Sequence, residues 1–138
     1  MGSYCKRVTG FYPGVFSIFH PGYVLAFEEA RKHCDYLIVG LQTDPTIDRP
    51  YKDKPIFTVQ ERKIILESIK WIDEVIIYTT EKSLDALDAT MKYDIRFIGA
   101  DHTRTFIPIH RTIVYLARDH EWSSTNIRKR ICNHQGAY

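Results

Sequence analysis

Apolar residues along this chain fall into two kinds of block. Short continuous runs, of the sort buried on both faces of a parallel sheet, alternate with stretches in which apolar positions recur every three or four residues. Residues 7–12 mix apolar and aromatic side chains and predict a first strand that ends at Pro13-Gly14, a pair that breaks regular structure. After a loop, Val24, Leu25, Ala26, Phe27 and Ala30 recur at helical spacing among Glu28, Glu29, Arg31 and Lys32, the pattern of an amphipathic helix. Residues 36–41 are then a continuous apolar strand, which completes a strand, helix, strand unit.

Between Gln42 and Pro55 the chain turns polar and carries Pro45, Pro50 and Pro55, a composition that rejects helix and predicts a long functional loop. Thr58 is placed to cap the next helix, with Glu61 completing a capping box and Ile64, Ile65, Leu66, Ile69 and Trp71 on its buried side. Residues 74–78 read as a third strand, Ser83 as the start of a helix through Leu84, Leu87 and Met91, and residues 95–99 and 112–116 as two further strands. Ser123 or Ser124 starts a last helix through Ile127 and Ile131. Such alternation predicts an α/β fold: a right-handed, doubly wound parallel sheet of five strands flanked by helices. Ligands in sheets of this kind bind beyond the carboxyl ends of the strands.

Composition narrows the picture without naming an activity. A chain of 138 residues can bury one hydrophobic core and not two, so a single domain is expected, with its core at about residues 7–132 between short termini. Its 44% hydrophobic and 26% charged residues argue against disorder and coiled coil. The net charge of +2 argues against a nucleic-acid binder with a broad basic surface, but leaves room for a small anionic ligand. That total hides an uneven distribution, because residues 49–70 and 118–138 are each locally basic. No apolar run is long enough to span a bilayer and the first ten residues lack a signal-peptide core, so a cytoplasmic protein is expected. Cys5, Cys34 and Cys132 are odd in number and widely separated, which suggests ordinary reduced thiols.

The loop after the first strand reads Gly14-Val15-Phe16-Ser17-Ile18-Phe19-His20-Pro21-Gly22-Tyr23 and ends where the first helix begins. It resembles GxFDxxHxGH, the signature of nucleotidyltransferases that move a nucleoside monophosphate from a triphosphate onto a phosphate. The match lies at Gly14, Phe16, His20 and Gly22; Ser17 departs from Asp and Tyr23 from the second His. Further segments are similar to the glycerol-3-phosphate cytidylyltransferase type: residues 35–44, Lys54-Pro55, Glu61-Arg62-Lys63, residues 71–76, and Gly99-Ala100-Asp101-His102. A second motif of that family, RTEGISTT, corresponds here to Arg118-Asp119-His120-Glu121-Trp122-Ser123-Ser124-Thr125, which keeps the Arg and the hydroxyl cluster. The resemblance runs in register from about Phe11 to Ile131 and implies a Rossmann-like domain.

A helix N-terminus offers unpaired N–H groups and partial positive charge to triphosphate oxygens. A glycine lets backbone approach them, and an imidazole donates to oxygens that gain charge as pyrophosphate leaves. Through the resemblance, His20, Lys54, Arg118 and, in place of the second His, Tyr23 are expected to carry catalysis. Gly14, Val15, Phe16, Gly22, Asp101, Trp122, Ser123, Ser124 and Thr125 are expected to contact the nucleotide and its phosphates. Each has a plainer alternative: a cap for the hydroxyls, a strand-end cap for Asp101, and core packing for Trp122, which is preferred. Lys52 and Arg62 are candidates for the acceptor; Arg62 stands evenly between a phosphate ligand and a structural ion pair. His33, His110 and His134 fall outside the motifs and read as surface residues. No His, Cys and Asp cluster has the spacing of a permanent zinc or iron site. The resemblance implies Mg²⁺ arriving with the triphosphate, CTP ahead of ATP, an acceptor such as glycerol 3-phosphate, a phosphorylated amino-alcohol or a sugar phosphate, and a homodimer.

The departures open a second reading. A phenol stays neutral near pH 7 and donates one hydrogen bond, where an imidazole can become a cation. Ser17 has no carboxylate to orient a histidine. An enzyme is the leading expectation, with a nucleotide-binding module that has lost efficient transfer as its rival.

Overall fold

The computed structural model describes residues 6–99, 111–117 and 119–133. Five strands, β1 (Thr9–Gly14), β2 (Tyr36–Gln42), β3 (Glu74–Tyr78), β4 (Ile95–Ile98) and β5 (Thr112–Tyr115), alternate with α1 (Pro21–Arg31), α2 (Val59–Glu67), α3 (Glu81–Thr90) and α4 (Ser124–Asn133). All neighbouring strands pair in parallel, in the order β3-β2-β1-β4-β5. The order reverses at β1, so the fold is the Rossmann-like doubly wound sheet, and the crevice beyond the carboxyl ends of β1 and β4 is its switch point. Among the described residues, no helix is long and apolar enough to cross a membrane.

Burial explains why the central strands read as unbroken apolar runs. Leu37, Val39 and Leu41 of β2 pack with Tyr12, Phe27, Ala30 and Leu66 on the face covered by α1 and α2. Ile38, one residue out of phase, packs with Phe11, Leu84 and Tyr93 on the face covered by α3. Both faces are dry, so residues 37–41 of β2 are apolar on both parities. At the amino ends of the strands, Asp35, Asp73 and Asp94 accept the backbone N–H groups of Val8, Leu37 and Thr9 at 2.8–2.9 Å. These N–H groups precede the ladder or open it, and the carboxylates satisfy them.

Several boundaries differ from the sequence expectation. β1 continues through Pro13 to Gly14, with Pro13 opposite Gly40 of β2. The ladder between β1 and β4 registers only Gly10 and Phe11, so Pro13 has a partner strand on one side and its missing N–H is tolerated. α3 begins at Glu81, capped by Thr80, and Ser83 is the reciprocal partner three residues in. The capping box predicted at Thr58 and Glu61 is present as expected. The last two strands are each one residue shorter than predicted.

One buried ion pair fixes α3 to the sheet. Arg96 of β4 donates through Nη1 to both carboxylate oxygens of Asp88 at 2.8 Å, and both side chains are almost fully buried. Burial pulls the guanidinium's pKa down, but hydrogen bonds to Asp88 and Tyr93 more than offset it and the net direction is up. Asp88→Ala strands this charge and is expected to lower stability by about 3–5 kcal/mol. Urea unfolding should show most of that loss recovered in the double variant with Arg96→Met; an Asp88→Ala protein as stable as the parent would refute the anchoring role.

Candidate functional site

The site begins where β1 runs out. Gly14 is followed by Val15 and then by Phe16, whose φ of 51° lies in the left-handed region, a strained conformation for an aromatic residue. Packing holds it there: the buried Phe16 ring meets Tyr12, Tyr23 and Phe27 at centroid distances of 5.0–5.4 Å. The same ring lies so close to Gly14 that a Cβ there would sit 2.8 Å from Phe16 Cζ, which explains a glycine at this point. Phe16 is therefore a core plug beneath the loop.

His20 closes the loop as the N-cap of α1, in extended conformation, with Pro21 at the first helical position. Its Nδ1 accepts the backbone N–H of Gly22 at 3.1 Å. An imidazole that accepts at Nδ1 carries its proton on Nε2, so His20 is set as an Nε2 donor in its neutral form. Tyr23 stacks on it, with ring centroids 4.0 Å apart and planes 24° from parallel.

The amino end of α4 meets this cradle. Ser123 accepts the N–H of Asn126 at 3.0 Å and is the cap. Ser124 points across to α1: its Oγ lies 3.0 Å from the Tyr23 hydroxyl and accepts from Ser17 Oγ at 3.3 Å. Arg128, one turn further along α4, donates to Ser17 Oγ at 3.2 Å and lies 3.8 Å from Asp53 of the long loop. The two residues that depart from the first motif thus converge on a hydroxyl of the second. The first turns of α1 and α4 hold no acidic residue, whereas α2 and α3 carry Glu61 and Glu81 there. Two helix N-termini without a carboxylate to offset their partial charge meet at one place, which is chemistry suited to an anion.

The remaining expected residues are distributed unevenly. Thr125 is exposed on α4, and Trp122 is exposed beside the His120 ring, 5.3 Å away, so the preferred core reading of Trp122 does not hold. The turn before α4 carries it outward, where it has no core layer to enter. Lys52 and Lys54 lie on the exposed loop, and Lys54 Nζ is 3.6 Å from Asp44. Hydrogen bonds from Thr46, aided by Lys54, hold the Asp44 carboxyl below its ordinary pKa. Arg118 and Asp101 lie outside the described residues.

Arg62 is a correction to both of its expected roles. It is almost fully buried, and its guanidinium donates to five backbone carbonyls: Phe57 and Thr58 from Nε, Val15 and Gln42 from Nη1, and Thr43 from Nη2, at 2.6–3.3 Å. Burial lowers its pKa, against the pull of Asp44. A side chain so occupied has no face to offer an acceptor phosphate; it ties the first loop to the end of β2 and the start of α2. Sequence reading also passed over His120 and Arg128. The spacing of Arg128, four residues after Ser124 on a helix, was a usable signal, whereas nothing local distinguishes His120.

Comparison with known proteins agrees with this fold. The sequence model of the cytidylyltransferase-like family matches residues 11–130. The bifunctional protein HldE of Hyphomonas neptunium is 40% identical over 99 residues, which is 71% of this chain and 20% of that protein. HldE of Acidiphilium cryptum is 34% identical over 114 residues, 82% of this chain and 22% of the relative. The chain thus spans about a fifth of the length of the curated relatives it matches. Among solved structures, the lipopolysaccharide core biosynthesis protein from Thermoplasma volcanium superposes with a TM-score of 0.70 at 24% identity, over 82% of this chain and 98% of that one.

Replacing Arg62 with Met keeps the apolar stem and removes every one of the carbonyl contacts. The loss is expected to be roughly 3 kcal/mol or more, since each buried carbonyl left unpaired costs about 1–3 kcal/mol. Hydrogen exchange at residues 16–18 and 43–46 should accelerate with it; unchanged protection in both segments would contradict the clamp.

Proposed function

Because the chain belongs to the cytidylyltransferase-like family of nucleotidyltransferases, we propose that it transfers a nucleoside monophosphate from CTP or ATP onto the phosphate of a small phosphorylated alcohol or sugar, releasing pyrophosphate. The observation that carries this reading is the convergence of the α1 and α4 N-termini on His20 and Ser124 at the switch point of the sheet. An acceptor phosphate oxygen attacks the α-phosphorus in line. The bond to the bridging oxygen breaks, and its electron pair leaves with pyrophosphate. His20 donates from Nε2 to an oxygen gaining charge, and the turn at Ser123, Ser124 and Thr125 grips the polyphosphate tail. Lys54, released from Asp44, and Arg118 neutralise phosphates. In this assignment the protein positions and stabilises charge, with no covalent intermediate of its own.

The base is held open between two triphosphates. CTP follows from the motifs, and an adenylyltransferase using ATP fits at least as well. Pantoate-beta-alanine ligase from Francisella tularensis, which shares the fold at a TM-score of 0.57 and 16% identity over 88% of this chain and 65% of that one, was solved with beta-gamma ATP and beta-alanine. Side chains at the cradle are imidazole, hydroxyl and guanidinium, groups that bind phosphate oxygens and do not build a cage for a hard cation. Among the described residues no group of three His, Cys, Asp or Glu could hold a metal ion. Mg²⁺ is proposed to arrive on the triphosphate itself, where it would neutralise charge. The proposal includes a homodimer, which sedimentation would test.

The decisive experiment incubates the protein with each of CTP, ATP, GTP and UTP, with Mg²⁺ and a panel of phosphorylated acceptors, and measures pyrophosphate. Release from CTP or ATP with at least one acceptor is expected, falling about 10²- to 10³-fold in His20→Ala. No His20-dependent release from any pairing would overturn transfer and leave the binding module.

A further inference from the structure

Gly22 sits between two imidazoles, only one of which belongs to the first motif. A Cβ at this position would lie 2.9 Å from Cε1 of His20 and 2.6 Å from Cε1 of His120, which arrives from the segment before α4. The two rings therefore flank one point at the first turn of α1. Their local bonding is also alike. His20 Nδ1 accepts from the N–H of Gly22, two residues on, at 3.1 Å, and His120 Nδ1 accepts from the N–H of Trp122, again two residues on, at 3.1 Å. Each neutral ring is thereby set with its proton on Nε2, the atom bonded to the Cε1 that faces Gly22. Tyr23, which occupies the place of the second motif histidine, has its hydroxyl on Ser124 and its ring on His20 and Phe16. It forms a wall of the cradle and joins α1 to α4, and that junction brings His120 over Gly22.

We propose that His120 is a second catalytic imidazole, supplied from the α4 side, that donates from Nε2 to the polyphosphate of the bound nucleoside triphosphate. This rests on the transfer reading above. As the acceptor oxygen bonds to the α-phosphorus and the bridging bond breaks, charge gathers on the departing pyrophosphate, and His20 and His120 hold it from two sides. Their protons are shared in hydrogen bonds and need not be transferred. Substituting Tyr for the second motif histidine then moves that donor to another element and does not delete it.

His120→Asn separates this role from a structural one. Asparagine Oδ1 takes the place of Nδ1 and can accept the Trp122 N–H in an Asx turn, while the distal donor is lost. The variant is expected to keep the parent melting temperature, lose about 10²-fold in kcat for pyrophosphate release, and change its KM for the triphosphate far less. Unchanged kcat in His120→Asn, in a protein whose His20→Ala variant is impaired, overturns the proposal. Imidazole ¹⁵N NMR with the α,β-methylene analogues of CTP and ATP reads the contact without turnover: Nε2 of His120 should shift on binding, with the exposed His33 as an internal reference. If the parent protein releases no pyrophosphate with any substrate, the transfer reading fails on its own. The NMR titration then decides His120, and an unmoved Nε2 signal overturns its contact with polyphosphate.

Discussion

Five parallel strands point their carbonyl ends the same way, and one buried guanidinium gathers carbonyls at the ends of two neighbouring ones, β1 and β2. At the carboxyl edge, Gln42 closes β2 and Thr43 and Val15 lie just past the ends of their strands, and Arg62 reaches the carbonyls of all three from the first turn of α2. A charge taken out of water at this depth costs several kcal/mol unless its donors are used, and here carbonyl dipoles use them. The amino edge has the opposite need, met by the opposite charge: Asp35, Asp73 and Asp94 receive N–H groups there. Fixing the carboxyl edge matters more for function, because the first loop hangs from it and can hold Phe16 in a strained backbone only while both its ends are tied.

Once that loop is set, the positions of the two helix starts follow. His20 caps α1 because the chain leaves the Phe16 plug extended and enters the helix at Pro21. The Tyr23 and Ser17 hydroxyls then meet Ser124, and Arg128 braces Ser17 from the next turn. Each hydrogen bond in the chain is modest, about 1 kcal/mol. Their effect is geometric: they bring a second helix N-terminus, and with it His120, to the first. A phosphate-binding place built from backbone N–H groups and partial charges tolerates changes of side chain, provided that the two helix starts remain together.

This accounts for how the chain departs from the signature loop at Ser17 and Tyr23 while the cradle stays assembled. Both departures are hydroxyl-bearing, and each reaches the hydroxyl of Ser124. A carboxylate at position 17 would lie against Arg128 as an ion pair; the serine makes a neutral contact in its place. A histidine at position 23 would offer a second ring from α1. The tyrosine forms a longer bridge to α4, and the second ring comes from that side.

How far the sequence carries can be judged from particular residues. Periodicity located every strand and helix, and the capping box at Thr58 and Glu61, because these depend on contacts within a few residues and on which parity of a strand is dry. Local rules misjudged Pro13, because whether a missing N–H matters depends on whether a neighbouring strand is there to receive it. Motif order pointed to His20, Gly22 and the Ser123 to Thr125 turn, yet left Arg62 between a phosphate ligand and an ion pair, and the preference for a core Trp122 over a nucleotide contact does not match its exposure. The sequence by itself determined the alternating fold, the loop and the helix starts that frame the cradle. Tertiary structure alone decided that Arg62 is consumed by carbonyls, that Tyr23 and Ser17 share Ser124 across more than one hundred residues, and that His120 stands beside His20. Those facts arise from hydrogen bonds between segments far apart in the chain, and such a bond leaves no period or spacing in the sequence of either partner.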